Sequence, residues 1–240
     1  MLRDAVILAA GKGTRLRADE SALPKPLHEV GGVALIERTI RTLRAAGVGR
    51  VVVVTGFMAD AVSAAVAPLD VDVVYNAEYE RANGVSVLVG GAVVQGPFVL
   101  SMADHIYTPS IARLVGSQDF AVADLYLATD TRIHDVLDID DATKVRSEDG
   151  RIVEIGKTLT EYDRIDCGVF AVTPALLDAL AAVRAETQDC SLTQGVRKLA
   201  ERGRARVVDI LDGFWQDVDT AADRDHAEKL IRHHDPLDGR

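Results

Sequence analysis

The stretch that most constrains this chain is its first apolar run, Val6-Ile7-Leu8, together with the small-residue segment after it, Ala9-Ala10-Gly11-Lys12-Gly13-Thr14-Arg15-Leu16. Val6-Ile7-Leu8 reads as a buried strand. The small residues after it let the backbone turn tightly enough to offer several N–H groups to one anion. A strand that opens into such a turn is built to hold phosphates at the carboxyl edge of a sheet. Pro24-Lys25-Pro26-Leu27 comes within ten residues of the turn and adds a fixed positive charge near it.

Two familiar phosphate motifs come near this stretch and fail. A Walker loop requires Gly-x4-Gly-Lys-Ser/Thr, but Val6 stands where the first glycine belongs and Gly13 where the hydroxyl belongs. A dinucleotide fingerprint would use Gly11 and Gly13, yet Leu16 occupies the third glycine position, and no ribose-binding acid stands after a second strand at the right distance.

The rest of the first half fits a sheet of parallel strands. Apolar runs at 5–9, 51–55, 71–75 and 98–102 alternate with amphipathic stretches near 33–46, 58–66 and 109–115. That βα alternation with short connections marks a parallel sheet covered on both faces. Val51-Val52-Val53-Val54 is the continuous β-branched run of a doubly covered strand. Between 120 and 172 strand-like segments dominate, at 120–128, 143–147, 151–155 and 165–172. Helical patterns return at 175–185, 191–202 and 220–233, where Asp219 or Thr220 can cap the last helix. The expected fold class is α/β: a Rossmann-like, mainly parallel sheet with helices on both faces and an added small β region. One domain over 1–240 is the simplest organisation, with 1–118 mainly for a nucleotide and 119–240 mainly for an acceptor and for completing a metal site. Residues 235–240 read as a polar tail.

Composition then excludes several classes of function. The chain has 240 residues, 48% of them hydrophobic, with no apolar run approaching a membrane span and no basic-then-apolar leader. A cytoplasmic protein without membrane insertion is expected. Cys167 and Cys190 have no metal or redox spacing and read as packed thiols. A formal charge of −10 disfavours nucleic acid, so an anionic substrate must meet a local cationic pocket.

Acidic residues supply the other half of the chemistry. Ligands of open α/β sheets bind beyond the carboxyl ends of strands, and Phe98-Val99-Leu100-Ser101-Met102-Ala103-Asp104 places Asp104 at such an end. Far along the chain, Trp215-Gln216-Asp217-Val218-Asp219-Thr220 puts two carboxylates on one side of an extended segment. Magnesium prefers carboxylate oxygens together with phosphate oxygens and water, which suits one ligand from each place. The bland alternative has Asp104 ending a strand in solvent and Asp219 only capping a helix. His105, next to Asp104, gets no proton-transfer role, because a phosphate nucleophile is already ionised at neutral pH.

Leu-Ala-Ala-Gly-x-Gly-Thr-Arg-Leu at 8–16 and Pro-Lys-Pro-Leu at 24–27 together resemble the nucleotidyltransferase family that joins a nucleoside triphosphate to a phosphorylated sugar or alcohol. The resemblance implies that Leu8, Ala9, Ala10, Gly11, Gly13 and Thr14 wrap the triphosphate. It sets Arg15 towards the departing pyrophosphate and Lys25 near the α-phosphate. It implies Mg²⁺ at Asp104 with Asp217 and Asp219, leaving open which of the last two touches the ion. Tyr75-Asn76-Ala77-Glu78-Tyr79 and Asn83-Gly84-Val85-Ser86 resemble the cytidylyltransferase branch, which assigns Asn76, Asn83, Gly84 and Ser86 to the nucleotide and makes it CTP. Asn83-Gly84 is also a common helix-opening turn. In the middle region, 141–146, 148–157 and 166–170 are similar, in order, to the inositol-1-phosphate cytidylyltransferase domain. That similarity assigns Lys157 to the incoming phosphate and Thr143, Lys144, Asp166 and His105 to the acceptor pocket.

The same resemblance leaves other acceptors open: a small phosphonate such as 2-hydroxyethylphosphonate, phosphocholine, or a sugar 1-phosphate with UTP, GTP or dTTP. It also leaves open a noncatalytic nucleotide sensor and a homodimer. Choline would need an aromatic cage, and aromatics are only 5% of the chain. Cys167 stands where the family has threonine, and 17–23 is more acidic than usual. No transmembrane alcohol-phosphotransferase half accompanies these motifs, so the expectation is a chain that works alone or with a separate partner.

Overall fold

A computed structural model describes residues 1–13 and 23–234. β1 (Asp4–Ala9) runs between two parallel neighbours, β4 (Arg50–Thr55) and β6 (Phe98–Met102), and β5 (Asp72–Tyr75) extends this group beyond β4. Alternate residues of a strand point to opposite faces, and here both faces are apolar. Ala5, Ile7 and Ala9 join one core with α1 (Leu35–Ala46), α2 (Ala59–Val66) and α4 (Pro109–Gly116). Val6 joins the other with α3 (Gly84–Gly91), α5 (Ala175–Thr187) and α6 (Leu192–Glu201). This double cover is why β1 and β4 read as unbroken apolar runs rather than alternating ones.

The second half enters the same sheet. β11 (Arg164–Val172) pairs antiparallel with β6, then β8 (Leu125–Asp130) with β11, and β12 (Ala205–Asp209) runs parallel to β8. The hairpin of β9 (Lys144–Glu148) and β10 (Arg151–Gly156) completes the order β5-β4-β1-β6-β11-β8-β12-β10-β9, and β9 also touches the start of β11. The mainly parallel character therefore belongs to the first four strands, and the added β region continues their sheet instead of lying beside it. β11 reverses direction because it reaches β6 from the hairpin region rather than through a helical crossover. β8 begins five residues later than the apolar pattern from 120 predicts, because 120–124 lie in turns outside the ladder. The apolar pattern does not predict β12: Arg206 interrupts it and only Ala205 is fully buried.

Two short ribbons complete the described chain. β2 (Glu29–Val30) pairs with β3 (Val33–Ala34), and β7 (His105–Tyr107) pairs antiparallel with β13 (Trp215–Asp217). Val30, Leu35, Ile106 and Val218 form a small core with Ala227 and Ile231 of α7 (Ala221–His234), which seats the last helix against the ribbons. Thr220 caps α7, exchanging bonds with Asp223, which leaves the Asp219 side chain for another task. No helix among the described residues is long and apolar enough to cross a membrane.

Candidate active site

Because β1 is flanked on both sides, third of nine strands, its carboxyl end lies inside the sheet rather than at its margin, and the glycine turn opens there. Leu8, Ala9, Ala10, Gly11 and Gly13 line one wall of a cavity of about 360 Å³. The Ala10 carbonyl accepts from the Phe57 amide at 3.0 Å, which ties the turn to the end of β4. Gly56 makes this approach possible: a Cβ there would lie 2.8 Å from the Ala10 oxygen and closer still to the Tyr79 Cβ. Tyr79, Arg81, Asn83 and Ser86 form the opposite wall. Lys12 pairs with Glu80 at 2.5 Å between the turn and this wall. Thr14 and Arg15, assigned to the triphosphate and the pyrophosphate, lie outside the described residues.

Lys25 opens a single 3-10 turn framed by Pro24 and Pro26, whose fixed φ holds the lysine backbone in place. Its side chain is buried. The ammonium donates to Asp104 Oδ2 at 2.6 Å and to Asp219 Oδ1. Residues 25, 104 and 219, far apart in sequence, thus meet at one point. Burial opposes charge on the lysine, but Asp104 and Asp219 outweigh it and raise its pKa. For Asp104 burial also opposes charge, and Lys25 and His105 outweigh it, holding the carboxyl well below the usual carboxylate range.

Asp104 and Asp219 face a second chamber as well. This one, about 240 Å³, shares Asn83, Met102, Asp104 and Asp219 with the first. His105 donates or accepts through Nδ1 at 2.7 Å from Asp104 Oδ1, and its ring stacks on Trp215 at 6.1 Å between centroids and 14° between planes. Below it, β11 bulges between Asp166 and Phe170. Gly168 sits in that bulge at φ +72°, and a Cβ would stand 2.6 Å from the imidazole. The bulge turns Asp166 into the chamber, where its Oδ1 accepts from the Gly168 amide at 2.7 Å, and burial still pushes its carboxyl up to about 6. Burial likewise lowers the charge preference of His105, but Asp104 and Asp217 outweigh it and raise the imidazole pKa. Lys157 reaches the chamber from the end of β10 and pairs with Asp141 at 2.8 Å.

Asp217 stands opposite His105 across the β7–β13 ribbon and lines the second chamber. Burial raises its pKa, with Asp219 and Asp104 adding to the effect and His105 opposing it. Among the described residues no group of three His, Cys, Asp or Glu side chains is spaced to enclose a metal ion. A two-carboxylate site still suits Mg²⁺, which keeps water and phosphate oxygens as its other ligands. Asp104 and Asp219 fit that donor set, since their oxygens already converge on one cation, the Lys25 ammonium.

Three of the assigned residues, Asn76, Gly84 and Lys144, line neither chamber. Asn76 is buried away from the cavity, where it donates to Ser86 Oγ at 2.9 Å and accepts from the Glu78 amide, so it shapes the turn before α3. Gly84 starts α3 against the backbone of Cys190, with room for no Cβ, and lines neither chamber. Lys144 is buried outside the second chamber and donates to the Lys157 carbonyl at 2.8 Å. Asn83 lines both chambers, and its Oδ1 also accepts from the Leu192 amide at 2.9 Å, joining α3 to α6. Sequence reasoning did not assign Tyr79, Arg81, Asp138 and Asp141. The alternation of Tyr79 and Arg81 just before a helix start was a usable signal, as was the place of Asp141 at the head of the 141–146 motif; Asp138 lies in an irregular segment that carries none.

A nucleotide-sized cavity with a glycine turn, joined through two carboxylates and a lysine to a second polar chamber, defines a group-transfer enzyme acting on phosphates. Comparison with known proteins agrees: the chain matches the family model for the MobA-like NTP transferase domain over residues 5–203, and it belongs to that family. The bifunctional IPC transferase and DIPP synthase of Rubrobacter xylanophilus is 40% identical over 95% of this chain and 51% of its own length. The protein of the same description from Archaeoglobus fulgidus is 34% identical over 96% of this chain and 44% of its own. The chain thus spans about half the length of these curated relatives. The solved structure of the inositol-1-phosphate CTP transferase from T. maritima superposes with a TM-score of 0.84, 29% identity and 97% coverage of both chains.

Proposed function

We propose that this chain transfers CMP from CTP to inositol 1-phosphate, with Mg²⁺, releasing pyrophosphate. The observation that carries this reading is the shared wall: the two chambers adjoin at Asp104 and Asp219, with the Lys25 ammonium on the donor side of both. In the donor cavity the turn at 10–13 cradles the triphosphate, while Tyr79, Arg81, Asn83 and Ser86 border the nucleoside. In the acceptor chamber Lys157 exchanges Asp141 for the acceptor phosphate, and Asp166, tied at one oxygen by Gly168, offers the other to acceptor hydroxyls.

An acceptor phosphate oxygen attacks the α-phosphorus, the bond from that phosphorus to the bridging oxygen of the β-phosphate breaks, and pyrophosphate leaves with the electron pair. The acceptor is already ionised, so no general base is needed and His105 keeps a positioning role. Lys25 supplies fixed positive charge where charge moves in the transition state. Asp104 and Asp219 would hold Mg²⁺, which supplies charge neutralisation at the α-phosphate. No side-chain nucleophile stands among the described residues of the turn, 10–13, so a single in-line displacement with inversion is expected. The conditions are those of the cytoplasm, where CTP is available.

The test is pyrophosphate release with each of CTP, UTP, GTP and dTTP against inositol 1-phosphate, glucose 1-phosphate, phosphocholine and 2-hydroxyethylphosphonate. Turnover of CTP with inositol 1-phosphate well above every other pair supports the reading. Preference for UTP with the sugar phosphate overturns it in favour of a sugar nucleotidyltransferase, and silence across the panel favours a nucleotide sensor.

A further inference from the structure

Residues 131–143 connect β8 to β9 as a strap over the acceptor chamber, which they line through Val136, Asp138, Asp141, Ala142 and Thr143. The leading end is pinned: Arg132 grips Asp130 through two bonds of 2.9 Å and donates to the Gly213 carbonyl at 2.7 Å, while the Trp215 indole donates to Asp130 at 2.8 Å. At the trailing end the Thr143 carbonyl accepts from the Asp166 amide at 2.9 Å. Between these anchors, the backbone around Asp141 is held from within the strap, where the Asp141 amide donates to Asp138 Oδ1 at 3.3 Å and the Ala142 amide to the Asp138 carbonyl at 3.1 Å, and Lys144 reaches it from outside the strap.

Lys144 begins β9 with β10 on one side and β11 on the other, and only 7% of it is exposed. Its ammonium pairs with no carboxylate among the described residues. It lies 2.8 Å from the Lys157 carbonyl and 3.5 Å from the carbonyls of Asp140 and Ala142, with the Tyr162 ring at 5.7 Å. A buried ammonium is costly to desolvate, and an apolar side chain of the same length would avoid that penalty. The donors go to particular atoms: the carbonyl of Lys157 itself and the two carbonyls that flank Asp141. Lys157 and Asp141 are the pair that faces across the chamber mouth at 2.8 Å.

We propose that Lys144 is a positioning residue for acceptor affinity: from outside the chamber it fixes the backbone of Lys157 and of Asp141, and so the place where the acceptor phosphate is received. The inference rests on the acceptor assignment of Lys157 given above, and the donor cavity is untouched by it.

The test compares wild type with K144M, which keeps the stem and removes the donors, and K144R, which restores donors. At saturating CTP, K144M raises the acceptor KM roughly tenfold and leaves kcat and the CTP KM within about twofold, and K144R recovers most of the loss. An unchanged acceptor KM overturns the proposal, as does an equal rise in both KM values, which marks a general loss of structure. A K144R enzyme no better than K144M overturns the hydrogen-bond account. Should K144M not fold, K144Q, whose shorter side chain reaches fewer carbonyls, carries the same expectation. Should wild type turn over no acceptor in the panel, the proposed function falls, and amide hydrogen exchange decides the role of Lys144: faster exchange confined to 138–142 and 157–159 in the variant supports it, and unchanged exchange overturns it.

Discussion

The two chambers that meet at Asp104 and Asp219 are built in opposite ways. The donor cavity takes one wall from five residues within 8–13, a continuous turn at the end of a doubly covered strand. The acceptor chamber takes its wall from β6, the 131–143 strap, β10, the β11 bulge, α6 and β13, and from side chains more than backbone. A turn of backbone can grip a triphosphate that every member of such a family uses, because phosphate asks only for amide donors and positive charge. Recognising one acceptor asks for side chains in a fixed arrangement, and a sheet edge with inserted strands supplies them. The comparison predicts that lesions on one side leave the affinity of the other side alone, except at the shared wall.

Lys25→Ala strikes that wall and has the largest expected effect. On the proposed mechanism, removing the charge assigned to the reacting phosphorus lowers kcat by about 10²–10³-fold with both substrates saturating. A variant that retains more than a tenth of wild-type turnover, in the same pyrophosphate assay, breaks the idea that the chambers are joined through this lysine.

Gly56→Ala probes the donor side alone. The added methyl meets the Ala10 carbonyl and Tyr79, an overpacking of about 1–3 kcal/mol. Calorimetry should show a loss of roughly 2–4 °C per kcal/mol. The CTP KM rises and the acceptor KM holds; a rise in the acceptor KM instead would show that the two walls are mechanically coupled.

Asp166→Asn sharpens the acceptor side and shows its effect only as a dependence on pH. Burial holds the Asp166 carboxyl up to about 6, above its unfolded value. Between about pH 4 and 6 the unfolded chain therefore sheds this proton before the folded one, and wild type loses stability relative to the variant as pH rises. The difference in unfolding free energy between the two grows by about 1–3 kcal/mol over that window and then levels off. Parallel melting curves at all pH values would place Asp166 in solvent rather than in the chamber.

Legibility divided along the same line. The glycine turn, Lys25 between two prolines and the apolar runs of β1 and β4 each carry their meaning within a few residues, so period and turn chemistry were enough. Asp104 could be placed at the sheet edge because it follows an apolar run, and it stands just beyond the end of β6. Asn76 and Lys144 read as ligand contacts for one reason, that a polar residue stands beside a motif, and only packing showed that Asn76 donates to Ser86 and Lys144 to the Lys157 carbonyl. Asp141 opens the 141–146 motif, but nothing local marked it as the partner of Lys157, and Asp138 carried no signal, since an acidic residue in an irregular segment looks like any solvated loop.

The amino-acid order by itself determined the doubly covered strand, the glycine turn at its end and the residue types that nucleotide transfer needs, because those depend on near neighbours and on side-chain chemistry. Tertiary structure decided which carboxylates share a cation, that Asp166 is turned inward by a bulge, and that the later strands extend one sheet. Those outcomes depend on segments separated by up to 194 residues meeting at one point, and no local pattern records such a meeting.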